Sequence, residues 1–381
     1  AISEGAMEEP VEFRTHGGRP SAIETGAAPI DVAFIAAPAC DPMGNCSGKY
    51  GKSACGSLGY AIPDAMFAKK VVVITDNLVP YPLVGGSISE TWVDYVVAVD
   101  AIGDPNGIVS GTTKITRDPI GLMMASYAVQ VIEHSGLLKD GFSFQTGAGG
   151  ASLAVAKYLK DVMLRQQIRG SFGLGGITGY LVDMLNEGCF EALLDVQCFD
   201  LQAVESIRTN PRHMEISAAR YASPTARSCA VDQLDVVILG ATEVDTDFNV
   251  NVHTDSNGCI MGGSGGHSDT AAGAKLTMII APMFRARLPI VTDRVTCIST
   301  PGCDVDVLVT QGGIAVNPRR AELRERLVEA GLPVRPIQQI KELAESVTGI
   351  PRRLTRGERP VAKVISRTGA LQDTIYNVPE R

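Results

Sequence analysis

A chain of 381 residues that is 45% hydrophobic has the material for two domains, each able to bury its own core. A formal charge of −8 with no basic run argues against nucleic acid as a partner, because binding to a phosphate backbone is driven by clustered Lys and Arg. The longest apolar stretches, 95–99 and 276–281, fall far short of the roughly 20 residues that span a bilayer, so no membrane segment is expected.

In chain order, residues 30–37, 70–75 and 93–99 read as short buried strands rich in Val and Ile, with a helix over 60–70 between the first two. This alternation gives an α/β fold class. Asp104-Pro-Asn-Gly and Gly111-Thr-Thr read as a polar connection that divides the chain into domains 1–112 and 113–381. Beyond it, the pattern predicts a helix over 119–134 stopped by Gly136, where glycine adopts a left-handed backbone at little cost. A strand at 142–144, a glycine loop and a helix through Leu153, Val155, Ala156, Leu159, Val162 and Met163 follow. A strand at 171–174, a second glycine loop and a helix over 180–186 repeat that arrangement. Further strands are expected at 234–241, 276–281 and 305–309, and amphipathic helices at 320–330, ended by Gly331, and 337–347. Segments 362–366 and 374–378 flank Arg367-Thr-Gly-Ala as a hairpin. The nine cysteines, with no Cys-x-x-Cys pair, fit reduced cytoplasmic thiols better than a disulfide framework or a zinc site, so no metal is expected.

The sequence also says one thing twice. Residues 31–47 align without gaps against 235–251, keeping Asp31/Asp235, Val32/Val236, Ala37/Ala241, Asp41/Asp245 and Asn45/Asn249. Each copy is an apolar run ending in an Asp-x-x-x-Asn turn, which points to two related units. The glycine segment 141–150 precedes Asp235 at a distance with no counterpart ahead of Asp31, so the first unit is expected to lack its N-terminal part. Because the shared Asp and Asn recur in a copy with no Glu, they are expected to shape the turn through side-chain to backbone hydrogen bonds. The first copy has Ala39 where the second has Glu243, an ionisable carboxylate at the mouth of a buried strand.

Three loops could aim backbone N–H groups at a ligand: Gln145-Thr-Gly147-Ala-Gly149-Gly150, Gly173-Leu-Gly175-Gly176 and Gly262-Gly263-Ser-Gly265-Gly266-His267. All three fail the dinucleotide fingerprint at its last glycine, where Ser152, Thr178 and Ser268 stand. Gly51-Lys52-Ser53 mimics a P-loop, but the required first glycine is Cys46. The first and third loops sit between strand-like and helix-like segments, so ligand contact is expected there, against the plainer reading of a tight turn. His267 either donates to a bound carbonyl or is a satisfied turn histidine. Glu243 next to N–H donors could attack an activated acyl carbon, the donors stabilising the oxyanion, or could be an ordinary salt-bridged turn residue.

Several long segments carry a resemblance: Gly17-Gly18-Arg19, Ile30-Asp-Val-Ala-Phe-Ile, Cys55-Gly-Ser-Leu-Gly-Tyr, Leu78-Val-Pro-Tyr-Pro, Val99-Asp-Ala-Ile-Gly-Asp-Pro, Gly141-Phe-Ser-Phe-Gln-Thr-Gly, Glu243-Val-Asp-Thr-Asp-Phe-Asn-Val-Asn-Val and Gly262-Gly-Ser-Gly-Gly-His-Ser-Asp-Thr. On these, the chain resembles the bacterial citrate lyase alpha-subunit family over 1–378. The resemblance implies two tandem open α/β units of the CoA-transferase type, and a front stretch preceding Ala1. It implies exchange of acetyl for citryl on the thiol of an acyl carrier protein (gamma) subunit, releasing acetate, after which a citryl-carrier lyase (beta) subunit cleaves the thioester. The implied substrate is acetyl-CoA or the carrier's dephospho-CoA-derived group, with no tightly bound cofactor and a homo-oligomer within the complex. Glu243 matches the glutamate acylated in related CoA-transferases; the alternative route forms a mixed anhydride on citrate's own carboxylate. For a tricarboxylate, cationic forks are expected, with Arg14, His16, Arg19 and Arg319 as candidates beside the commoner reading of surface Arg. The competing functions are a CoA-transferase or hydrolase for another short acid, and a non-catalytic scaffold.

Overall fold

The structure, a computed structural model, describes residues 1–108, 113–351 and 356–378; Gly111 and Thr112 of the expected connection lie outside them. Runs of Val, Ile and Leu that are apolar on both faces favour parallel strands covered on both sides. They build an eight-stranded sheet in the order His213–Glu215, Phe190–Cys198, Gly170–Ile177, Ser143–Thr146, Val236–Leu239, Leu276–Ile280, Val307–Thr310, Gly313–Val316, parallel except for the last strand. Alternate residues serve opposite cores. Val236, Ile238 and Met278 pack with the helices Pro119–His134 and Gly150–Gln166, while Val237, Leu239 and Ile279 pack with Tyr221 and the helix Ile337–Thr348. Among the described residues, no helix is long and apolar enough to cross a membrane.

Local chemistry sets the element ends. Pro119–His134 opens with Pro at its first position and with Asp118 accepting the N–H groups of Ile120 and Gly121, and it closes just before Gly136 at φ +81°. The expected second glycine loop is instead part of the strand Gly170–Ile177. The reason is close packing: a Cβ on Gly173 would lie 2.8 Å from Leu193, and one on Gly176 would lie 2.1 Å from the Phe199 ring. Glycine is there to let neighbours approach, and the sheet is irregular between Gly175 and Gly176.

A smaller parallel sheet, Val32–Ala36, Lys70–Thr75 and Tyr95–Ala98, repeats the order of Val236–Leu239, Leu276–Ile280 and Val307–Thr310. The duplicated turns share one hydrogen-bond scheme. Asp41 Oδ1 accepts the N–H groups of Met43, Gly44 and Asn45, and Asn45 Nδ2 donates to Asp41 Oδ2 at 2.8 Å. Asp245 does the same for Asp247 and Asn249, with Asn249 Nδ2 at 3.1 Å. The fourth residue of each turn is left-handed: Gly44 at φ +109° and the buried Phe248 at φ +66°. These Asp and Asn side chains therefore shape the turn.

The two sheets differ in their surroundings. Phe34 is 70% exposed and Tyr95 59% exposed on the small sheet, with Val32 and Val97 also exposed, whereas Val236 and Ile238, the repeat partners of Val32 and Phe34, are fully buried. A third sheet joins the two ends of the chain: Val11–Arg14 runs parallel to Pro360–Ile365, which pairs antiparallel with Leu371–Tyr376 as the hairpin.

Candidate active site

From Ser143–Thr146 the chain steps outward to Gly170–Ile177, and from Val236–Leu239 it steps the other way to Leu276–Ile280, although the two starting strands are neighbours. Such divergence opens a crevice at the carboxyl ends of the strands, where open α/β sheets bind ligands. Two loops emerge there, 147–150 and 240–243, joined by the Gly147 N–H donating to the Ile238 carbonyl at 3.1 Å. Gln145, Gly147, Gly149 and Gly150 stand at this switch point, with Gly149 and Gly150 opening the 17-residue helix Gly150–Gln166. The Gln145 amide donates to Tyr221 Oη at 2.9 Å, leaving its buried Oε1 without a partner.

Glu243 begins the strand Glu243–Asp245 and faces Asn251 across an antiparallel pair, in the register that Ala39 and Ser47 share in the first copy. Its Oε2 accepts Asn251 Nδ2 at 2.9 Å and the Thr296 N–H at 2.8 Å; among the described residues its Oε1 has only the Thr296 hydroxyl at 3.2 Å. The carboxylate is 4% exposed and lines a cavity of about 670 Å³, within the size range of small-molecule sites. Oε1 is thus the oxygen with acceptor capacity to spare.

Behind Glu243, Asn251 Oδ1 accepts the N–H groups of His253 and Thr254. Ser299 Oγ accepts the N–H groups of Val252 and His253, so its hydroxyl proton goes to His253 Nδ1 at 2.6 Å. The neighbouring Thr300 hydroxyl meets His267 Nδ1 at 2.7 Å, while His267 Nε2 donates to the Gly240 carbonyl at 2.8 Å. Both ring nitrogens of His267 are engaged, so it braces the 240–243 loop and is the satisfied turn histidine of the two readings. Burial lowers its pKa to about 4. A group neutral in the fold and basic when unfolded stabilises fully above pH 6.5 and loses that contribution as pH falls through about 4, some 3 kcal/mol. The melting temperature is therefore expected to fall more steeply on acidification from pH 6.5 to 4 in the parent chain than in His267→Gln. Parallel curves would refute this.

The other expected residues divide. Gly265 and His16 meet, the His16 N–H donating to the Gly265 carbonyl at 3.0 Å, and His16 Nδ1 lies 2.6 Å from Tyr60 Oη. Burial, then Arg19, lowers the His16 pKa to about 4. Gly266 packs against Tyr221 and Gly263 against Phe13. None of the residues of these glycine loops lines the Glu243 cavity. Arg14 pairs with Glu12 at 2.7 Å and Arg19 with Asp64 at 2.8 Å. Arg319 donates to the Cys303 carbonyl, and Asn317, two residues before it, gives its N–H to the carbonyl of Asp306 ahead of the strand Val307–Thr310. Arg319 is not brought to Glu243.

Sequence reasoning missed Asp269, Asn251 and Thr296. Asp269, with its pKa raised to about 6 by burial, accepts the Thr15 hydroxyl at 2.7 Å and the Gly17 N–H at 2.9 Å, fixing the 15–17 segment against the third glycine loop. Asn251 was visible in the repeat, where it replaces Ser47 directly across from the Ala39/Glu243 difference. Thr296 has no signal of its own. Away from the cavity, Asp195 Oδ2 meets His213 Nε2 and Cys198 Sγ, each at 2.9 Å, and His213 Nδ1 meets Ser206 Oγ. This fully buried trio has three metal-ligating residue types close together, but its polar atoms are spent on one another, except the orphaned Asp195 Oδ1.

Against known proteins, residues 1–378 match the family described as citrate lyase, alpha subunit. The chain is 50% identical over 377 residues to the citrate lyase alpha chain of Klebsiella pneumoniae, covering 99% of this chain and 74% of that one, and 49% identical over 379 residues to that of Escherichia coli, covering 100% and 74%. A citrate lyase alpha subunit from Streptococcus mutans, solved in complex with citrate, superposes with a TM-score of 0.97 at 49% identity, covering 100% of this chain and 74% of that one. A 4-hydroxybutyrate CoA-transferase from Porphyromonas gingivalis shares the fold at a TM-score of 0.55 and 17% identity, covering 87% and 79%.

Proposed function

The chain belongs to the citrate lyase alpha-subunit family, and from that premise we propose that it moves a thioester from acetyl to citrate in the cavity beside Glu243. It is the CoA-transferase component of a multi-subunit lyase. The finer assignments rest on family likeness: the thiol belongs to a carrier-protein subunit bearing a dephospho-CoA-derived arm, a second subunit cleaves the citryl thioester, and the complex works in the cytoplasm. That the Streptococcus mutans relative was solved with citrate supports citrate as the acceptor.

The observation that carries the site is the geometry of Glu243. A carboxylate is a weak nucleophile, so it must be fixed, shielded from bulk water and set where an acyl carbon can approach. Thr296 and Asn251 anchor Oε2, which leaves Oε1 toward chemistry. In the covalent route, Oε1 adds to the acetyl carbonyl and the carbon–sulfur bond breaks, giving an acetyl–Glu243 anhydride and a thiolate. The thiolate attacks the Glu243 carbonyl and expels acetate, a citrate carboxylate displaces the thiolate from that thioester, and the thiolate then attacks the citryl carbonyl and frees Glu243. In the ternary route, a citrate carboxylate positioned by Glu243 adds to the acetyl carbon and expels the thiolate, and the thiolate then attacks the citryl carbonyl of the mixed anhydride, so that acetate departs.

The test is acetate release from acetyl-CoA on adding citrate to the purified chain. Stoichiometric, citrate-dependent release is expected. Release that ignores citrate would show a hydrolase, and none at all would leave the scaffold reading.

A further inference from the structure

Two guanidinium groups in the Glu243 cavity make no ion pair among the described residues. Arg294 precedes by two residues the threonine that holds Glu243, and its exposed side chain has no hydrogen bond or ion pair among the described residues. Arg356 reaches the same cavity from the C-terminal segment and gives one N–H to the Thr296 carbonyl. A guanidinium carries five N–H donors, so among the described residues most of the Arg356 fork is open.

Among the described residues, the acids on the same wall make no ion pair with these cations. Asp293 and Glu345 share the Lys341 ammonium, at 3.0 and 3.1 Å. Two carboxylates on one ammonium leave one negative charge, so with Glu243 the acids of this wall just balance the two arginines, which stay free to turn their donors to a ligand. A polycarboxylate entering beside Glu243 meets like charge unless cations offset it, and planar forks take carboxylates two bonds at a time. An acceptor with one carboxylate needs no such pair, since that carboxylate must be free to react.

We propose that Arg294 and Arg356 are the carboxylate-recognition pair of this site, holding the two non-reacting carboxylates of a tricarboxylic acid and so favouring it over monocarboxylic acceptors. The inference rests on the transferase reading and replaces Arg14, Arg19 and Arg319 as the cationic forks. It also gives the arginines a task separate from that of Glu243, which reacts or aligns.

The test compares Arg294→Ala, Arg356→Ala and Arg294→Lys with the parent chain in thioester exchange from acetyl-CoA. With citrate as acceptor, each alanine variant should raise KM at least tenfold with kcat changed less than threefold, and the lysine variant should fall between. Isotopic exchange of acetate should suffer at least fivefold less than citrate transfer. Equal losses for the two acids, or an unchanged citrate KM, would overturn the pair. Citrate binding by calorimetry in the absence of thioester separates the two claims: a tenfold loss of affinity in each alanine variant supports the arginines even if no transfer is seen, a failure that falls on the transferase reading alone. Unchanged affinity, or a parent chain that binds no citrate, refutes them whatever the turnover.

Discussion

Replacing Glu243 by glutamine is expected to lower citrate-dependent transferase turnover at least a hundredfold while the chain stays folded. The variant keeps the shape and an oxygen to accept the Thr296 N–H and the Asn251 amide, so the brace around it survives. What it loses is the charge and the lone pairs at Oε1, the position that meets the Thr296 hydroxyl. A hundredfold corresponds to about 2.7 kcal/mol of transition-state stabilisation, modest beside the loss of a bond-forming group. Near-normal turnover with an intact melting curve would remove Glu243 from the centre of the reaction. Trapping after incubation with acetyl-CoA sorts the two routes: hydroxylamine or borohydride labels Glu243 in the covalent one and leaves it unmodified in the other.

The largest effect on stability is expected from Asp195→Ala. Burial raises the pKa of this carboxyl even though His213 pulls the other way, and the side chains of both are completely enclosed. Alanine strips the acceptor from His213 Nε2 and Cys198 Sγ and leaves a void, which together cost about 3–5 kcal/mol. The damage should spread. Ser57 donates to the Asp195 carbonyl at 3.0 Å, and a Cβ at Gly56, itself at φ +86°, would lie 2.2 Å from Cys198 Sγ, so the first unit is fitted tightly onto this cluster. Asp195→Asn, which keeps an acceptor for one of the two donors, should cost less. Urea unfolding measures both, and a loss below about 1 kcal/mol for the alanine variant would show that the trio contributes little.

Much of the fold was legible because its signals are local. The limits of Pro119–His134 are written in Asp118, Pro119 and Gly136, and Lys70–Thr75 and Leu276–Ile280 are unbroken β-branched and aliphatic runs. Phe190–Cys198 was missed because Glu191, Asp195 and Gln197 interrupt it, and a partner that makes Asp195 tolerable there, His213, comes from outside the strand. The glycines at 173–176 looked like a loop because sequence cannot tell a glycine that turns from one that admits a neighbour's ring. At the site, Glu243 was visible as a difference between two copies of one turn. Its partners were not, since Thr296 arrives from 53 residues away and Arg356 from the C-terminal segment. Arg14 and Arg19 were read from their place around the Gly17-Gly18 turn and Arg319 from its place after Asn317-Pro318, and the structure shows them bonded to Glu12, Asp64 and the Cys303 carbonyl.

The small sheet wears on its outside what its twin keeps within. With Phe34 and Tyr95 turned to solvent, adhesion between copies is opposed chiefly by mutual repulsion from the net charge of −8. Added salt shortens the reach of that repulsion and leaves the greasy wall untouched, so self-association of this chain should grow with ionic strength.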